Sequence, residues 1–170
     1  MTWFVLRNSN DLIRDMHPVH LARWHPFTDA RRVRRPAMNT SHPVWRSLLY
    51  VPANNPRFVA KAHLRGADGI ILDLEDSVPN SELDTARRAL RDMVMSASQN
   101  GADVLIRINY PDDLAADDID AAVFDGVAAI LVTKARDADH VRTISARVAE
   151  READAGMTSG TIRLVPMIET

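Results

Sequence analysis

The 170-residue chain contains no cysteine. That excludes a disulfide framework, a zinc–thiolate site and a thiol nucleophile. No apolar run approaches the roughly eighteen residues that a membrane-spanning helix needs, so no membrane association is expected. The net charge is −2, which argues against a general nucleic-acid binder. Glycine is scarce, at six residues. The first strand–helix loop, Val51-Pro52-Ala53-Asn54-Asn55-Pro56, lacks the G-x-G-x-x-G fingerprint, which weakens a dinucleotide-binding reading. What remains is a chain with 46% hydrophobic and 26% charged residues, a globular composition. Its length suffices for one domain with a real core.

Charge is unevenly spread. Residues 1–43 hold Arg7, Arg14, Arg23, Arg31, Arg32, Arg34 and Arg35 against Asp11, Asp15 and Asp29. Pro18, Pro26, Pro36 and Pro43 punctuate the segment, and it has no clear apolar period. An Arg-rich, acid-poor start resembles a transit peptide, but serine is scarce. The Arg31–Arg35 cluster could touch RNA or a membrane surface. The plainer expectation is that residues 1–44 form a basic, poorly ordered extension, or sequence upstream of a true start at Met38 rather than Met1. Residues 45–170 are then the folded part.

From Trp45 onward the pattern is regular. Ser47–Val51, Ile70–Leu74, Val104–Ile108, Ala128–Val132 and Ile162–Ile168 read as strands. Helices are expected from Pro56 to about Leu64, from a Ser81 cap through Ala97, over Asp117–Val123 and over Ala138–Ala153. On the last of these Val141, Ile144 and Val148 should face inward. Strands alternating with helices at this spacing mean βαβ units and a parallel sheet. A doubly wound sheet and a (β/α)₈ TIM barrel compete.

The densest signal is Gly69-Ile70-Ile71-Leu72-Asp73-Leu74-Glu75-Asp76. A strand apolar on both faces suits a buried parallel sheet. It ends in three carboxylates, at the end where α/β folds place their chemistry. Buried unpaired, each acid would cost several kcal/mol, so a cation or hydrogen bonds must meet them. The bland alternative is a helix cap and first turn, where Asp and Glu are favoured anyway. Polar residues recur at the other strand ends: Arg107 and Asn109, Lys134, Glu169. Such a series is the address list of a barrel active site. The Arg107 fork suits carboxylates and oxyanions. Glu169 suits a hard cation such as Mg²⁺. A structural Arg–Glu pair is the competing reading.

Several motifs, in order, resemble one family. Arg46-Ser47-Leu48-Leu49-Tyr50-Val51-Pro52-Ala53-Asn54-Asn55-Pro56-Arg57-Phe58 is followed by Lys61-Ala62, Gly66-Ala67-Asp68 and Asp73-Leu74-Glu75-Asp76-Ser77-Val78-Pro79. Ala86-Arg87, Arg107-Ile108-Asn109, Lys134 and Ile168-Glu169-Thr170 continue the match. Together they are similar to the citrate lyase beta-subunit-like proteins of the HpcH/HpaI aldolase superfamily. The similarity covers about residues 45–170.

The resemblance implies a Mg²⁺-dependent (β/α)₈ lyase that cleaves or forms a C–C bond in a 3-hydroxyacyl-CoA, giving an acyl-CoA and an oxo acid. Arg107 matches the arginine that contacts substrate and steadies the thioester enolate. Glu169 matches one of two acidic metal ligands. Tyr50, Asn55, Lys61 and the neighbouring Arg57 match positions near the CoA moiety. Asp73, Glu75 and Asp76 would form an acidic floor that orients Arg107 or a metal-bound water. A cytoplasmic location and a homo-oligomeric full-length form go with the resemblance. Thr133 departs from the proline often found before the fourth-strand lysine. The second metal-ligating Asp falls beyond Glu169, so the chain reads as about the first five βα units of a barrel. The alternatives are an inactive fragment or split-gene product needing a second chain, and a metal-dependent aldolase acting on free 2-oxo acids.

Overall fold

The computed structural model describes residues 43–168. The expectations for residues 1–42, and the metal-ligand expectation for Glu169, lie outside the described residues. Five strands alternate with four helices: β1 Leu48–Pro52, α1 Pro56–Ala62, β2 Gly69–Asp73, α2 Leu83–Ala97, β3 Asp103–Ile108, α3 Asp112–Ala122, β4 Val127–Val132, α4 Ala138–Asp154 and β5 Arg163–Pro166. All neighbouring pairs are parallel, and the order is β1-β2-β3-β4-β5. This is the sequential sheet that the strand spacing predicts. It matches the opening units of a barrel, not the reordered strands of a doubly wound sheet.

The pleat divides the strand residues between two faces. Ile70, Leu72, Val104, Ile106, Ile130 and Val132 join the main core under the helices. That core includes Leu83, Ala86, Leu90, Val94 and Ala97, the stripe foreseen on α2. On the other face Ile71, Leu105, Ala129 and Leu131 form a second cluster, with Trp45, Leu48, Tyr50, Val165 and Met167 packed against it. All five residues of β2 are buried. Two-sided burial explains why the strand reads as a continuous apolar run. Gly69 opens it because a Cβ there would lie 2.7 Å from Leu48 Cδ2 and 2.9 Å from Leu105 Cδ1.

Local chemistry sets most helix ends. Asn55 caps α1, its side chain accepting from Phe58 N at 3.2 Å, and Pro56 opens the first turn. Gly66, at φ 72°, closes the turn after α1 in a conformation costly for other residues. Asp137 caps α4 by accepting from His140 N at 2.8 Å.

Four details differ from the sequence reading. Ser81 is not a cap: it lies in a 3₁₀ turn, Asn80–Glu82, that leads into α2. Helix α3 begins at Asp112, five residues before the predicted Asp117. Pro111 precedes it, and Asp112 and Asp113 occupy a first turn that favours acids. The buried residues of α4 are His140, Ile144, Val148 and Glu152, whereas Val141 is only half-buried. Glu152 faces inward because it accepts from Gly160 N and Ile162 N, both at 2.7 Å, and so satisfies the loop into β5. Finally, β5 is shorter than the predicted Ile162–Ile168, and Ile168 is exposed.

Candidate active site

Asp73 and Arg107 are direct partners in the β2–β3 register, on the face opposite the main core. The guanidinium grips Asp73 through two parallel hydrogen bonds, Nε to Oδ1 at 2.7 Å and Nη2 to Oδ2 at 2.8 Å. This fork-to-fork geometry is the strong form of an arginine–carboxylate pair. Nη1 lies 3.3 Å from Asp76 Oδ2 and 2.9 Å from Glu75 Oε2. The Glu75 contact is a close charge contact without hydrogen-bond alignment, so Oε2 is buried and has no hydrogen bond. The other oxygen of Glu75 accepts from Lys134 Nζ at 3.0 Å. The Tyr50 ring lies beneath the guanidinium, 5.1 Å from centroid to Cζ.

The turn after β2 is held by its own residues. Asp73 Oδ1 also accepts from Glu75 N at 3.0 Å, and Ser77 Oγ donates to Asp73 O at 3.4 Å. Lys134 follows β4 in a left-handed conformation, φ 49°, costly for a residue with a Cβ. Burial pushes the Glu75 carboxyl above its ordinary pKa; the Lys134 hydrogen bond and the Arg107 charge oppose this. Burial disfavours the charge on Arg107, but the hydrogen bonds and charge of Asp73, with Glu75 and Asp76, outweigh it and raise its pKa. Arg107 is therefore a fixed cation with a fixed pose.

The structure thus brings together Arg107, Asp73, Glu75, Asp76 and Tyr50. The α1 residues stand apart from this contact set. Asn55 serves as the cap of α1, and Arg57 and Lys61 are exposed along that helix. Two clefts, one lined by Trp45, His63 and Asp68 and one between α3 and α4, do not contain Arg107.

Three residues stand behind the site: Asn109, which the sequence marks among the polar strand ends, and Asp118 and Thr133, to which it assigns no role. Asp118 on α3 is fully buried and accepts from Arg87 Nε, Asn109 N and Asn109 Nδ2. Its signal was hidden in an acid-rich stretch that looks like a solvated face. Asn109 also donates to Leu74 O, inside the acidic turn. Thr133, in the position where the family often has proline, donates its hydroxyl to Ile108 O at 2.8 Å.

Oxygen donors suit a hard cation. Among the described residues, however, no group of three His, Asp or Glu side chains could hold a metal ion. Asp73 and Glu75 face Arg107 and Lys134 instead. The described acids are thus not a direct Mg²⁺ ligand set.

The sequential parallel sheet, with its charged cluster at the strand ends, is that of a TIM-barrel-type α/β protein. The HpcH/HpaI aldolase/citrate lyase family model matches residues 46–170, and the chain belongs to that family. Citrate lyase subunit beta of Leuconostoc mesenteroides subsp. cremoris is 31% identical over 126 residues, covering 74% of this chain and 42% of that protein. A (3S)-malyl-CoA thioesterase of Cereibacter sphaeroides is 34% identical over 106 residues, covering 62% of this chain and 37% of that protein. The citrate lyase beta subunit of M. tuberculosis, solved with oxaloacetate and magnesium, superposes with a TM-score of 0.50 at 27% identity, over 70% of this chain and 56% of that one. The chain spans about two-fifths of the length of the curated relatives it matches. No helix among the described residues is long and apolar enough to cross a membrane.

Proposed function

We propose that residues 45–170 supply the Arg107 half of a carbon–carbon lyase site that acts on a 3-hydroxyacyl-CoA. The observation that carries this reading is the bidentate clasp of Arg107 by Asp73 at the β2 and β3 ends, braced by Glu75 and Tyr50. In the proposed reaction the substrate hydroxyl loses its proton and becomes the carbonyl of an oxo acid. The adjacent C–C bond breaks, and its electrons pass to the thioester as an enolate. Protonation at carbon then gives the acyl-CoA. Arg107 is the fixed cation against the enolate oxygen, a role in which a preorganised donor stabilises developing charge without reorganising. Asp73, Glu75 and Asp76 hold that cation in place. Tyr50, Asn55, Arg57 and Lys61 flank the path of the CoA moiety, with Arg57 and Lys61 available to its phosphates.

The reading includes Mg²⁺ as cofactor, with Glu169 as a ligand. Its support is the match to the family motif and the magnesium named with the M. tuberculosis relative. When bound, the cation would polarise the oxygen functions of the oxo-acid part. A cytoplasmic, homo-oligomeric full-length protein completes the reading.

The test is release of acetyl-CoA from malyl-CoA, citramalyl-CoA or citryl-CoA, with Mg²⁺ and with chelator. It is run on the 170-residue chain and on a form extended to eight βα units. The expected result is Mg²⁺-dependent acetyl-CoA release by the extended form. Release of free CoA without acetyl-CoA would instead place the site with the thioesterase relatives. No turnover of any ester, with free 2-oxo-acid aldol substrates cleaved, would overturn the reading.

A further inference from the structure

We propose that Asp118 is a positioning residue: it draws the Asn109 amide out of the β2–β3 ladder and thereby sets the pose of Arg107. In a parallel pair every second residue of one strand links, through its N–H and its C=O, to two residues of its neighbour. Leu74 N makes the first link, to Arg107 O at 3.0 Å. The second would run from Asn109 N to Leu74 O. Asn109 N instead donates to Asp118 Oδ2 at 2.7 Å. The Asn109 side chain replaces it, Nδ2 donating to Leu74 O at 3.1 Å and to Asp118 Oδ2 at 2.8 Å. The strand ends are thus held apart by one amide side chain and remain tied.

The carboxylate that imposes this is braced from behind. Its Oδ1 accepts from Arg87 Nε at 2.8 Å, and Arg87 Nη2 donates to Leu114 O at 3.2 Å, on the same helix as Asp118. Side chains also meet the next backbone group at the end of β3, where Thr133 donates its hydroxyl to Ile108 O. Leu74 lies between Asp73 and Glu75, and Asn109 lies two residues after Arg107. The bracket therefore fixes both sides of the clasp. If fold stability were all that was needed, apolar packing could replace a buried ion pair. A carboxylate with three oriented donors gives position as well.

The catalytic consequence rests on the lyase reading, but the positional claim does not, and the two are tested separately. The first readout is solvent exchange of the Arg107 Nε–H, followed by ¹⁵N NMR in the 170-residue chain. Asp118→Asn places an amide N–H₂ against one of its three donors and loosens the bracket. Exchange at Arg107 should become faster by about tenfold or more, the mark of lost local protection. Adding Arg87→Gln gives the introduced amide a neutral partner, so the double variant should recover much of the protection. Leu90→Ala, which weakens the core without touching the bracket, is the control for general destabilisation.

The proposal is overturned if exchange in Asp118→Asn equals that of the wild type, or is matched by Leu90→Ala at equal loss of melting temperature. Asn109→Ala removes the bridge to Leu74 O from the other side and provides a second test should Asp118→Asn not fold. Unchanged Arg107 exchange in Asn109→Ala overturns the proposal equally. In the extended form, kcat for acetyl-CoA release should fall by about 10²-fold with loss of the bracket. Faster exchange with unaltered kcat supports the bracket and counts against Arg107 as the enolate-facing group.

Discussion

Replacing Arg107 with methionine keeps a long stem and removes the charge. The two acids that face the guanidinium most closely are themselves enclosed: side-chain exposure is 4% for Asp73 and 8% for Glu75. Asp76, at 71%, stays solvated and contributes little. Breaking a buried pair by removing one partner costs about 3–5 kcal/mol, because the remaining charge is uncompensated. For a domain of this size that is a fall in melting temperature of roughly 10 °C. The deficit must also depend on pH. The Arg107 charge opposes the burial that raises the Glu75 pKa, so without it that pKa rises further above the unfolded value and the folded state binds more protons. Stability of the variant should therefore increase relative to wild type as pH falls from 7 towards about 4. Even in the wild type burial keeps the Glu75 pKa raised, so its ionisation opposes folding at neutral pH and that cost is relieved by acid. Adding Asp73→Asn to Arg107→Met should restore part of the loss. Urea unfolding at several pH values measures all of this. A deficit below about 1 kcal/mol, constant with pH, would refute the reasoning, because that is how a solvated surface pair behaves.

Other consequences follow from single contacts. Asp68, hydrogen-bonded to Arg46, has its pKa lowered to about 2, so its contribution is present above the ordinary carboxylate range and lost as pH falls towards 2. Asp68→Asn should thus lower the melting temperature slightly at pH 7 and not at pH 2, checked by calorimetry. Gly69→Ala must displace Leu48 and Leu105 and should cost about 1–3 kcal/mol in urea unfolding. Glu152→Ala strands the buried amide of Ile162 and leaves the exposed Gly160 amide to water. It should destabilise by about 1–3 kcal/mol and speed hydrogen exchange at both amides.

The strands and their order were legible because two-sided burial writes itself as unbroken apolar runs, as in Ile70-Ile71-Leu72. The acid–arginine cluster was legible because Asp73 and Arg107 each interrupt such a run at a strand end. The start of α3 was obscured: Asp112 and Asp113 suit a helix terminus, but they also read as a polar loop. His140 and Glu152 were missed on α4 because periodicity arguments count apolar residues, while these two are buried for their hydrogen bonds. Asp118 was missed for the same reason. Its donors come from Arg87, 31 residues away, and Asn109, 9 away, and no local pattern announces partners at such distances.

The central claim is that the clasped Arg107 acts on the reacting thioester. Its most direct test is kcat/KM for acetyl-CoA formation from malyl-CoA, citramalyl-CoA and citryl-CoA, compared between the extended wild type, Arg107→Lys and Arg107→Ala. The account predicts that Arg107→Ala loses about 10²–10³-fold or more on the preferred ester, with the loss in kcat, as for removal of an oxyanion donor. Lysine should recover little, because it cannot reproduce the bidentate grip on Asp73. A folded Arg107→Ala variant with wild-type kcat would contradict the account and leave the cluster as structural brace alone.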